Sequence, residues 1–140
     1  MKILLTSKEM SNDFVSEALN ISPDKIIDIS KSFENLRDFI KVIDQFDIFI
    51  GPSTGPMHIA DALGKSAIVI HCHRAMSCAI HQGMINKNSI NLEVSGELCN
   101  KYCSADQNTC GIEKALGVDV VISSIKTLYN RKIETAREIK

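Results

Sequence analysis

Ser53-Thr54-Gly55-Pro56-Met57-His58 is the stretch whose residue types and spacing are best suited to chemistry. It reads as a strand-to-helix bend, with Pro56 at the first helical position, where a missing N–H costs nothing. The other first-turn N–H groups have no partner inside a helix and carry partial positive charge, which makes them an anion site. Gly55 would let a phosphate come close to the backbone, the Ser53 and Thr54 hydroxyls add short donors, and the His58 imidazole falls within the first turn. The same residues also fit a plain bend in which Ser53 or Thr54 caps the helix and the glycine and proline only shape the turn. The spacing leaves both readings open.

Two further groups could bind something. Cys99, Cys103 and Cys110 have ligand-like spacing, but three thiols without a nearby histidine do not complete a tetrahedral set. His71 and His73 would share one face if their strand continues, with Cys72 opposite and with Cys78 and His81 following at helical spacing. A polar loop at a strand end explains these histidines equally simply. No metal and no cofactor is therefore assigned, and the cysteines are expected as reduced thiols.

The elements that must position these residues alternate. Lys2 to Thr6 reads as a strand, Asn12 to Asn20 as a helix and Lys25 to Ile29 as a second strand. Phe33 to Phe46 is an amphipathic helix with Phe33, Leu36, Phe39, Ile40, Ile43 and Phe46 on one side. Asp47 to Ile50 is a strand that runs into the bend, and the helix after it extends to about Leu63, where Gly64 suits the left-handed closing residue. Ser66 to Ile70 lacks alternation, as expected of a strand covered on both faces, and Asn88 to Val94 is another strand. After a polar, cysteine-bearing loop, Asp119 would cap a final helix with Val120, Ile122, Ile125, Leu128 and Tyr129 in a stripe. This order predicts an α/β fold, a Rossmann-like parallel sheet with helices on both faces. The bend then lies at the carboxyl end of a strand, where such sheets bind ligands.

Composition narrows the class. Hydrophobic residues make up 44% and charged residues 24%, which excludes wholesale disorder. Sixteen Lys and Arg against 17 Asp and Glu leave a net charge of -1, which argues against a nucleic-acid partner. With no apolar run near the ~20 residues needed to cross a bilayer and no export signal, the chain reads as a single cytoplasmic domain over residues 1–140.

The segment Asp47-Ile48-Phe49-Ile50-Gly51-Pro52-Ser53-Thr54-Gly55-Pro56-Met57-His58-Ile59-Ala60-Asp61-Ala62-Leu63-Gly64-Lys65 resembles the donor-binding signature of glycosyltransferase family 9, the ADP-heptose:lipopolysaccharide heptosyltransferases. That signature runs roughly D-x-x-I/V-G-x-D-T-G-P-M-H-L/I-A-A-A-L-G-K. The resemblance implies the C-terminal half of a GT-B glycosyltransferase, which holds ADP-heptose or a related nucleotide sugar for lipopolysaccharide core synthesis. Ser53, Thr54, Gly55, Pro56, Met57 and His58 would then form the donor-binding turn, with Thr54, Gly55 and His58 at the diphosphate and sugar. Ser53 stands where the family has Asp, and Ile70-His71-Cys72-His73-Arg74 replaces the family's Phe-Gly-Pro-Thr segment.

The family's general base belongs to an N-terminal acceptor domain, which has no counterpart in this sequence. The catalytic residues are thus unknown, and the expectation is a truncated donor domain, incomplete alone. It would be completed by an N-terminal-domain partner or paired as a homodimer through an open sheet edge. Arg131, Lys132, Arg137 and Lys140, diluted by Glu134 and Glu138, allow at most peripheral membrane contact. The alternatives are a non-catalytic remnant or regulatory nucleotide-binding protein and, further off, a metal- or redox-responsive module.

Overall fold

The computed structural model describes residues 3–6, 12–30, 32–72, 88–102 and 116–138. Its contacts divide the chain into two units, Met1–Val42 and Ile43–Lys140.

In the first unit, β1 (Ile3–Leu5) pairs in parallel with β2 (Ile26–Asp28), with α1 (Asn12–Ile21) between them in sequence. α2 (Leu36–Asp44) begins later than the expected Phe33. Asn35 supplies the reason: its Oδ1 accepts the Asp38 N–H at 3.0 Å and its Nδ2 donates to Asp38 Oδ2 at 2.8 Å, which fixes Asn35 as the cap. Phe33 stays outside the helix and stacks on Phe39 at a ring-centroid distance of 4.6 Å. Leu36, expected on the apolar face, is exposed. Ile43 of the same stripe, the first residue of the second unit, is buried at 1% exposure.

The second unit holds a three-stranded parallel sheet in the order β3-β4-β5, made of β3 (Ile48–Pro52), β4 (Ser66–Cys72) and β5 (Ile90–Val94). β4 is central, and its consecutive Ala67, Ile68 and Val69 are all buried. Because neighbouring residues of a strand point to opposite faces, both faces of β4 are covered. β3 leads through the bend into α3 (Gly55–Ala62), which returns to β4. Gly64 closes α3 at φ +68°, with its N–H on Asp61 O at 2.9 Å and the Lys65 N–H on Ala60 O at 2.9 Å. That double bond pattern is the Schellman closure which glycine makes without a Cβ penalty. Parallel strands alternating with helices make this an α/β protein of the expected Rossmann-like class.

Two further elements differ from the sequence expectation. The polar loop after β5 begins as a helix, α4 (Gly96–Tyr102), in which Cys99 is buried. Ser95 starts it: the Ser95 Oγ accepts the Leu98 N–H and the Ser95 carbonyl accepts the Cys99 N–H. The final helix, α5 (Val118–Glu138), starts before Asp119, so Asp119 lies in its first turn and is not the cap. Its inner face is also rotated from the expected stripe. Ser124 and Leu128 are buried and Val121 and Ile125 half-buried, whereas Val120, Ile122 and Tyr129 are exposed. Ser124 occupies an inner position because its hydroxyl donates to the Val120 carbonyl at 2.8 Å. No helix among the described residues is long and apolar enough to cross a membrane.

Candidate functional site

Pro52 ends β3, Ser53 makes the bend and Thr54 opens α3, so the six-residue turn sits at the carboxyl end of a parallel strand. Thr54 has the extended backbone of a cap, with φ −138° and ψ −179°. Its carbonyl accepts the N–H groups of Met57 at 3.0 Å and His58 at 3.4 Å. The helix therefore starts at Gly55, and Pro56 is its second residue, one place later than expected.

Neither hydroxyl caps the helix. The Thr54 Oγ1 leans back to the Pro52 carbonyl at 3.5 Å and makes no capping bond. The Ser53 Oγ is buried and has no hydrogen-bond partner among the described residues. Thr54 is thus the cap residue by its backbone alone, without a side-chain capping bond.

With Met57 and His58 bonded to Thr54, and with no N–H on Pro56, the outward donors reduce to the amides of Thr54 and Gly55. Among the described residues neither has a hydrogen-bond partner. Gly55 is exposed, and a Cβ built on it would meet no heavy atom within 4 Å. Packing does not demand glycine there; the space where a side chain would stand is open. Gly51 is the opposite case, because a Cβ there would lie 2.9 Å from the Phe49 ring.

The remaining residues divide between anchoring and presenting. Met57 is fully buried and fastens the turn to the core, so it offers no side-chain group outward. Pro56 and His58 are half-buried, the imidazole one helical step past the open amides.

His71 lies near the end of β4 and is 4% exposed. His73, Arg74, Cys78, His81, Cys103 and Cys110 fall outside the described residues. Among the described residues no group of three or more His, Cys, Asp or Glu could hold a metal ion.

A cavity of about 560 Å³ lies at the other, amino ends of the strands, lined in part by Asp47, Lys65, Ser66 and Lys132. Two ion pairs cross it, Lys65 with Asp44 at 2.9 Å and Lys132 with Asp47. The Lys132 contact holds the Asp47 carboxyl below the usual carboxylate range, by hydrogen bond first and by charge second. Sequence reasoning did not find this place because its residues come from segments far apart in the chain and form no local motif.

Residues 7–107 match the family model of glycosyltransferase family 9 (heptosyltransferase), a span that contains the whole turn and the strands on either side of it. Searches of curated proteins and of solved structures give no match. Over more than half its length, then, the chain carries the pattern of one family, and it belongs to glycosyltransferase family 9.

Proposed function

We propose that the turn 53–58 holds the diphosphate of a nucleotide-sugar donor, ADP-heptose or a close relative, for glycosyl transfer in lipopolysaccharide core synthesis. The observation that carries this reading is the pair of amides at Thr54 and Gly55, unpartnered among the described residues at the start of a helix, with open space at the side-chain position of Gly55. Such donors, aligned with the positive end of the helix, favour the doubly charged leaving group more than the neutral region of a sugar. Their contribution rises as the glycosidic bond to phosphate breaks and charge gathers on the departing oxygen, which is electrostatic stabilisation in advance of need. His58 assists by donating from within the first turn. Ser53, in place of the family's Asp, takes a carboxylate away from the sugar and reserves its hydroxyl for the protein side of the turn.

Transfer also requires an acceptor hydroxyl and a base within hydrogen-bonding reach of it. An acceptor domain facing this turn would supply both, and the chain described here contributes the donor side.

Titration calorimetry tests the reading. ADP and ADP-heptose should bind, AMP should bind about tenfold or more weakly for want of one phosphate, and Gly55→Val should lower ADP affinity by about tenfold through its Cβ branches. Equal affinity for AMP and ADP, or no binding of either, would remove the diphosphate from the turn.

A further inference from the structure

The sheet register brings a second set of polar groups to the floor of this turn. Pro52 pairs with Ile70, and His71 pairs with Glu93. One step past Pro52, Ser53 therefore arrives at the level of His71. Residues at one level of a parallel sheet project to the same side, so His71 and Glu93 form a row across β4 and β5, and Ser53, the first residue beyond the end of β3, follows next to that row. Glu93 is exposed, His71 is 4% exposed, and Ser53 is half-buried, its Oγ buried and without a hydrogen-bond partner among the described residues.

A buried hydroxyl left unsatisfied raises the free energy of the state that contains it, and such groups mark strain that another state relieves. His71 is the polar side chain at its level on the adjacent strand, and it stands where an apolar residue would otherwise complete the apolar course of β4.

We propose that Ser53 and His71 form an inner hydrogen-bonded pair when a diphosphate occupies the turn, the Ser53 O–H donating to an imidazole nitrogen. The pair ties the bend to the central strand and so fixes the Thr54 and Gly55 amides toward the ligand. Neither residue touches the phosphate; both are positioning residues. Glu93, next in the row, accepts from the other ring nitrogen as N–H, which fixes the tautomer that leaves a lone pair for Ser53. The inference rests on the donor-binding reading for its ligand, and it assigns His71 a part in that reading.

The test is a double-mutant cycle on the full chain, with ADP as the probe and calorimetry as the readout. Ser53→Ala and His71→Phe should each weaken ADP binding by about tenfold, the worth of one buried hydrogen bond. The double variant should lose about the same factor and not their product. His71→Gln, which keeps a hydrogen-bonding group, should recover most of the affinity and serves where His71→Phe does not fold. In the wild type the His71 ring nitrogen resonances should move when ADP is added, and in Ser53→Ala they should move much less. Multiplicative losses, or ring resonances that shift identically with and without the Ser53 hydroxyl, would overturn the pair while leaving the donor reading in place. A wild type that binds no ADP would overturn both.

Discussion

Three glycines of the second unit illustrate how residue type separates structure from ligand. Gly64 is set by its backbone, at φ +68°, and Gly51 by the Phe49 ring 2.9 Å from where its Cβ would stand. Gly55 answers to neither requirement. Gly51→Ala should therefore destabilise the fold by about 1–3 kcal/mol, the usual cost of overpacking. Gly55→Val should change stability by no more than about 0.5 kcal/mol while weakening diphosphate binding. Urea denaturation of the two variants measures the first contrast; a large loss in Gly55→Val would return that glycine to a structural role. The motif itself was legible from sequence, because Gly55, Pro56 and His58 lie within four residues. Which amides stay open was not, since that depends on how the Thr54 carbonyl is shared between Met57 and His58.

At the scale of elements, every strand foreseen from apolar runs is present, and the departures lie at helix ends and faces. α2 starts where Asn35 can reciprocate with Asp38, a local exchange that outweighs the apolar periodicity reaching back to Phe33. Asn35→Ala should cost about 1 kcal/mol, as loss of a capping side chain does, read from the thermal midpoint. α5 turns a different face inward from the one its hydrophobicity suggested, because Ser124 satisfies its own hydroxyl on the Val120 carbonyl and so tolerates burial. Leu128→Ala should cost about 2–5 kcal/mol. Tyr129→Ala, on a side chain 52% exposed, should cost far less. Comparable losses at the two neighbours would place the inner face elsewhere.

Taken as a whole, the second unit ties its last helix back to the start of its sheet through Lys132 and Asp47, at the end of the strands away from the donor turn. The Asp47 pKa is lowered in the folded chain, so its contribution is present above the ordinary carboxylate value of about 4 and is lost as pH falls through the lower folded value. Both side chains are more than half exposed, which keeps the effect small and sensitive to salt. The stability difference between wild type and Asp47→Asn should thus fade below about pH 4 and shrink in high salt. A difference that grows on acidification would contradict the pairing.

Sequence by itself determined the alternation of strands and helices, the parallel class and the place of the 53–58 turn. These are written in short apolar runs, in Gly and Pro punctuation and in one contiguous motif, all of which act over a few residues. Tertiary structure alone decided which face of α5 is buried, which first-turn amides remain open and that His71 is buried near the end of the strand next to β3. Those outcomes depend on register and packing between segments distant in the chain, where the free energy belongs to pairs of residues and to neither partner alone.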